Sequence, residues 1–313
     1  MKVKLLHTTG NQDILETIWD KPEPAKDEVE VKSVLTGVCS SDVAMYNGDF
    51  PTLPQEIQGH EGLGLVTKVG SLVNANMGIK VGDMVATRGE PGFADYYNAK
   101  QGTFVKVPNK ADPKWILEPV ACGINVANAV YNADNQDKNQ SIAIIGTGFL
   151  ARVTHYALKR NGYTNFTVYG KAYPEYWDNE DVTQMKHSGF HLEMPAGKGT
   201  EGFDAFIDYS SKPQYMTGNY VNENGIYVCA AEKKVDNIDF SRYLWKNITI
   251  KFPSPRDKTF IESMRYAREC IKSGSLNVSD MWCKAYNRDN AKTAFENKLN
   301  GTDKGRSYLI WMS

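Results

Sequence analysis

The chain has 313 residues, too many for one ordinary hydrophobic core and comfortable for two domains. It is 41% hydrophobic and 23% charged with a formal net charge of -1, the balance of a globular protein with no overall pull toward nucleic acid or an anionic membrane surface. Lysines and arginines are scattered, and no apolar run approaches the roughly 20 residues a bilayer demands, so neither a basic binding stripe nor a membrane span is expected.

Met1-Lys2-Val3-Lys4 runs directly into alternating strand-like sequence, without the apolar core of a signal peptide. The five cysteines are dispersed and odd in number, so the expected compartment is the reducing cytoplasm. From residue 1 to about residue 110, short alternating segments such as Glu28–Leu35, Gly64–Val69 and Thr103–Val107 are broken by Gly, Pro, Asn and Asp. That pattern predicts a β-rich, barrel-like domain. The character changes near Pro113. A helix is expected over Trp115–Ala129, then a strand at Ser141–Ile145, a helix over Ala151–Asn161 and a strand at Thr164–Tyr169. Further strands are expected at Ala205–Asp208, Gly225–Ala230 and Ile248–Phe252. Such alternation implies βαβ units and a doubly wound parallel sheet, so the fold class is α/β. Thr259–Ser273 reads as an amphipathic helix with Phe260, Met264, Ala267 and Ile271 on one face. The last thirty or so residues return to strand and short-helix signals and are expected to rejoin the first domain. The division that follows is 1–122 with 281–313, and 123–280 between them.

Two constellations carry chemistry. The strand Ser141–Ile145 leads into Gly146-Thr147-Gly148-Phe149-Leu150-Ala151 and a helix, the G-x-G-x-x-A fingerprint of a dinucleotide site in its strand–turn–helix context. Gly146 permits the tight turn, Gly148 keeps side chains off the pyrophosphate, Ala151 lets the helix pack, the helix N-terminus presents N–H donors, and Phe149 and Leu150 within the loop are counted with the cofactor-binding residues. An NAD-specific site places an acid about 20 residues on, to hold the ribose hydroxyls. Gly170 stands there instead, followed by Lys171, which leans the site toward NADP while leaving NAD possible.

The second constellation is Gly37-Val38-Cys39-Ser40-Ser41-Asp42, with Gly59-His60-Glu61-Gly62 some twenty residues later. With Val69-Gly70 and Gly82-Asp83, these segments resemble the medium-chain dehydrogenase/reductase family in its zinc-dependent alcohol and polyol branch. The resemblance covers nearly the whole chain and implies a GroES-like catalytic domain beside a Rossmann cofactor domain. It also implies one catalytic zinc, on Cys39, His60 and a third ligand that is open between Glu61, Glu118 and Cys122. A thiolate and an imidazole suit zinc, and a catalytic site keeps a position open beyond three protein ligands. Leu117-Glu118-Pro119-Val120-Ala121-Cys122 matches the polyol pattern, in which the glutamate faces the metal. If the segment is helical, Glu118 and Cys122 share a face. Ser41 matches the family's proton-relay hydroxyl, and Asp42 is expected to fix the loop or a histidine.

Departures are also legible. The relay histidine is replaced by Ala44, the four-cysteine lobe of a structural zinc is missing from Arg88–Tyr97, and the polyol-binding arginine reads Ala285 beside Lys284. The implied activity is hydride transfer between NADP(H) or NAD(H) and a small secondary alcohol, polyol or ketone, by a homo-oligomer, dimer or tetramer. Two other readings are a zinc-free enone or quinone reductase, which would lack the Cys39/His60 pair, and a nucleotide-binding protein without turnover.

Overall fold

The alternating segments form strands in the computed structural model, which describes residues 1–131, 137–170, 175–177, 182–184, 202–210, 212–232 and 237–311. The chain divides into two compact units, Met1–Ala121 with Ile261–Ser313, and Cys122–Phe260. The sequence division kept residues 261–280 with the second domain, whereas chain contacts group them with the first unit.

In chain order the first stretch supplies β1 (Lys2–Thr8), β2 (Ile14–Asp20), β3 (Glu28–Gly37), α1 (Ser40–Asn47), β4 (Gly62–Val69), α2 (Ser71–Met77), β5 (Met84–Thr87), β6 (Tyr96–Lys100) and β7 (Phe104–Val107). There follow α3 (Glu118–Ala129), β8 (Ile142–Ile145), α4 (Phe149–Arg160), β9 (Phe166–Gly170), β10 (Val182–Gln184), β11 (Phe203–Asp208), β12 (Val221–Cys229), α5 (Ser241–Trp245) and β13 (Thr249–Lys251). The last elements are α6 (Phe260–Lys272), β14 (Trp282–Asn287), α7 (Ala291–Leu299) and β15 (Arg306–Ile310).

The first unit is built on β3. Val29 and Val31 alternate into a core with Val66, Val85, Tyr97 and Phe104, while β4, β6 and β15 all pair antiparallel with the same strand. The sheet runs β14-β15-β3-β4-β5-β7, with β6 paired to β3 outside that path. Its C-terminal strands are the return of the chain, so Leu309 and Trp311 share a second core with Leu6, Val38, Tyr46 and Phe295. The hairpin β1–β2 forms a separate two-stranded sheet.

Among its described residues the second unit holds six parallel strands in the order β10-β9-β8-β11-β12-β13. Counted along the chain that order is 3-2-1-4-5-6, the doubly wound arrangement whose ligand crevice opens where the order reverses, between β8 and β11. Every residue of β8 is buried, as expected of a short apolar strand covered on both faces.

Some boundaries shift for local reasons. Residues 113–115 form a separate short turn capped by Asp112, and Ile116 is extended, so α3 begins only at Glu118 with Pro119 in its first turn. Gly148 is the N-cap of α4, which therefore starts at Phe149 rather than Ala151. The helix α1 and the strand β6 were not expected. α1 follows the Cys39 motif directly, and β6 is a mixed polar strand behind a Gly/Pro turn.

A charged pair is buried beside β3 in the first unit. Lys21 and Glu30 have side-chain exposures of 0% and 3% and meet at 2.8 Å, with Lys21 also donating to Asn98 Oδ1 and the Pro22 carbonyl. Lys21→Met removes the main cation from a buried carboxylate, which Lys68 at 3.5 Å compensates only in part. The expected cost is about 3 kcal/mol, the low end for breaking a buried pair, read from the urea transition of the first unit. Lys21→Met combined with Glu30→Leu should recover most of it.

Candidate functional site

The end of β3 and the start of β4 run side by side, and the two motifs of the first unit meet there. Gly37 N–H donates to the Glu61 carbonyl at 2.9 Å. A Cβ on Gly37 would collide with the Glu61 carboxylate, so glycine at that position makes room for the acid. Cys39 is the N-cap of α1, and its N–H donates to Asp42 Oδ2 at 3.0 Å. This local contact fixes the loop and turns Asp42 inward, where it is buried.

Cys39 Sγ, a ring nitrogen of His60 and a carboxylate oxygen of Glu61 all lie within 4.8 Å of one another, the one such group of ligating atoms found among the described residues. His60 is held between two acids. Its Nδ1 lies 3.8 Å from Asp42 Oδ1 and its Nε2 lies 3.9 Å from Glu61 Oε1. The Nδ1 edge thus faces the Asp42 carboxylate and the Nε2 edge faces Glu61. Burial works against a charged His60, but the charge of Asp42, with Cys39 and Glu118, outweighs it and lifts the imidazole well above its ordinary range. Burial, with the charge of Glu61 nearby, pushes Asp42 up to about 6. Cations, bound or resident, are what this cluster favours.

Glu61 has a resident partner that the sequence did not announce. Arg306 at the start of β15 donates to both carboxylate oxygens, through Nε to Oε2 at 2.9 Å and through an Nη to Oε1. Both side chains are buried, with exposures of 4% and 0%. Burial alone would raise Glu61, yet the guanidinium holds it below the usual carboxylate range. Glu61 is thus both ion-paired through its two oxygens to Arg306 and a member of the close group with Cys39 and His60. The available signal was a lone arginine heading the apolar strand Arg306-Ser307-Tyr308-Leu309-Ile310, a charge that must find a buried partner.

Glu118 is buried at the first position of α3, and its charge acts on both His60 and Arg306. It stands outside the mutually close group. Ser41 is half-buried in the first turn of α1, as is Ala44 one turn on. Cys122 is half-buried and belongs to the second unit.

In the second unit, Gly146 adopts a φ of +123°, open to glycine alone among common residues, and its N–H donates to the Tyr169 carbonyl at 2.8 Å. A Cβ on Gly148 would meet nothing within 4 Å, so space is open where α4 begins, as a pyrophosphate on that N-terminus requires. Phe149 and Ala151 are buried and Leu150 half-buried, anchoring the helix. Gly170 ends β9, while Lys171 lies outside the described residues. Sequence reasoning also missed Trp177, whose Nε1 donates to the Thr147 carbonyl at 2.9 Å.

Arg306→Met should strand the Glu61 carboxylate in the interior, at a cost of about 3–5 kcal/mol in the first unit. Because the folded Glu61 titrates below its ordinary value of 4.5, the pair contributes above that pH and is lost as pH falls through the lower folded value. Urea unfolding at a series of pH values checks both: the variant loses stability at neutral pH and shows a weaker acid limb than the wild type.

The alcohol dehydrogenase GroES-like domain family matches residues 25–109. An alcohol dehydrogenase of Moraxella sp. (strain TAE123) is 40% identical over 87 residues, 27% of this chain, and the chain spans only a quarter of that relative's length, 25%. The L-threonine 3-dehydrogenase of Vibrio parahaemolyticus is 24% identical along 99% of this chain and 100% of its own. Among solved structures, acetophenone reductase from Geotrichum candidum in complex with NAD superposes with a TM-score of 0.77 at 18% identity, over 99% of this chain and 97% of that one. The last likeness shows the fold, a GroES-like domain with a Rossmann-like parallel sheet, and together these findings bear out the resemblance to zinc-type medium-chain dehydrogenases/reductases. Among the described residues, no helix is long and apolar enough to cross a membrane.

Proposed function

We propose, for a chain whose residues 25–109 belong to the alcohol dehydrogenase GroES-like domain family, that it is an oxidoreductase exchanging hydride between NADP(H) or NAD(H) and a small secondary alcohol, polyol or ketone. The observation that carries this reading is the convergence of Cys39, His60 and Glu61 within 4.8 Å, in a unit where, among the described residues, buried acids outnumber buried cations. A thiolate and an imidazole fit zinc, and a carboxylate supplied by Glu61 or Glu118 is an acceptable third ligand. Bound there, zinc supplies Lewis-acid polarisation of the substrate oxygen, and the nicotinamide supplies or receives the hydride.

The protein's own groups do the rest. Asp42 places a buried carboxylate 3.8 Å from His60 Nδ1, on the ring edge opposite the one facing Glu61. Arg306 keeps the Glu61 carboxylate ionised and aimed beside the cysteine. Ser41, two residues after Cys39, is our candidate to pass the alcohol proton outward, and with Ala44 in the relay position that proton leaves through solvent. In the second unit, the open space over Gly148 and the N-terminus of α4 are suited to a dinucleotide pyrophosphate.

A second copy of the chain is the partner we assign to the edge of the second sheet. Strand β13 has no neighbour on its outer side among the described residues, and Leu244 and Trp245 beside it are 79% and 81% exposed. A free row of backbone groups next to large apolar side chains is best met by another strand of the same kind.

Purified protein should contain one equivalent of zinc. Cys39→Ser and His60→Ala should each lose the metal and at least a thousandfold in turnover, while the thermal transition of the second unit stays in place. Elemental analysis giving no zinc or two equivalents counts against the reading. Between Glu118→Gln and Cys122→Ser, the former should lose more zinc; the reverse outcome moves the third ligand to the cysteine.

A further inference from the structure

The end of β9 and the turn after β8 are locked together by packing as well as by the Gly146 N–H to Tyr169 carbonyl bond. A Cβ built on Gly170 would overlap Thr147 Cγ2 and stand 2.8 Å from its Oγ1 and 3.0 Å from its Cβ. Thr147 is β-branched, so its side chain has few rotamers into which it can retreat. The residue is also held from behind. Trp177 Nε1 and Tyr176 Oη both donate to the Thr147 carbonyl, at 2.9 and 3.4 Å. Trp177 is itself buried, with the Arg152 guanidinium 5.0 Å from its ring and the His155 ring at 5.3 Å.

From this packing we infer that Thr147 is a specificity-determining residue: its side chain occupies the space that any residue larger than glycine at position 170 would need, and so bars a ribose-binding carboxylate from the end of β9. The inference rests on the cofactor reading above and extends it. In a dinucleotide fold the acid at the end of the second strand is what secures the ribose hydroxyls of NAD and repels a 2′-phosphate. Here the missing acid is a property of two positions, one of which lies inside the glycine fingerprint. A single change at 170 therefore cannot restore it. The carboxylate needs Thr147 removed first, because interiors packed at crystal density do not absorb a heavy-atom overlap without backbone movement.

The test is a four-member cycle of the full chain: wild type, Gly170→Asp, Thr147→Gly and the double variant. Thermal unfolding and fluorescence titration with NADH and NADPH are measured for each. Gly170→Asp alone is expected to unfold at a lower temperature and to bind NADH within threefold of the wild type. The double variant is expected to unfold no lower than Thr147→Gly, to bind NADH at least tenfold more tightly than the wild type, and to bind NADPH at least tenfold more weakly. Thr147→Gly alone reads any cost of a looser turn. If Gly170→Asp alone is as stable as the wild type and gains NADH affinity, the inference is overturned while the cofactor reading stands. If the unfolding shifts of the two single changes simply add in the double variant, the packing argument is overturned. A wild type that binds neither dinucleotide overturns the cofactor reading and the specificity role with it, and the thermal half of the cycle still reports the packing on its own.

Discussion

The bidentate pair of Glu61 and Arg306 is the constraint on which the first unit depends. Two fully desolvated charges are costly to assemble, and their attraction offsets that cost only with good geometry and satisfied hydrogen bonds. Here the geometry comes from backbone: Gly37 leaves space for the acid, β3 lies between β4 and β15, and the guanidinium fork meets both oxygens. Around that pair the remaining groups take their places. Asp42 fixes the entry to α1 and sets a buried carboxylate beside His60, and the thiol, the imidazole and the carboxylate converge from two segments. The family match over residues 25–109 covers both of those segments and stops well short of Arg306.

How much of this was legible in sequence depended on whether the information was local. The Cys39 and Gly59-His60-Glu61-Gly62 segments carry their meaning in neighbouring residues, so they could be singled out before any fold was known. The parallel sheet was legible for the same reason, since apolar runs of four or five residues alternated with helical segments. Arg306 was not, because its partner lies 245 positions away and no periodicity links the two. Helix α1 was hidden as well, since its chemistry-bearing residues obscured a cap formed by Asp42 on the Cys39 backbone. Where Glu118 stands relative to the cluster likewise depends on how α3 begins after the extended Ile116, and residue spacing does not encode that.

The cofactor end shows a different limit of sequence reading. Gly170 was visible as a missing acid, a statement about charge. The structure adds a statement about volume: the same glycine is the only residue that the Thr147 side chain accommodates. Charge and packing thus give two independent reasons for one residue, and substitution at a single position would confuse them. At Gly148, by contrast, a Cβ would meet nothing within 4 Å, so volume does not explain that glycine among the described residues.

The split composition of the first unit also sets an order of assembly. The second unit is a continuous stretch, Cys122–Phe260, whereas the first needs both ends of the chain. During synthesis, β4 emerges with Glu61 long before β15 exists, and the carboxylate must stay hydrated until Arg306 arrives 245 residues later. The Leu35–Gly37 end of β3 likewise waits for β15, while β6 already pairs with Glu28–Lys32. A nascent chain of this design therefore exposes an unfinished sheet edge and an unfilled core while a complete α/β unit folds behind it. The interval in which the protein is vulnerable to wrong pairing is set by how long the ribosome takes to reach residue 306.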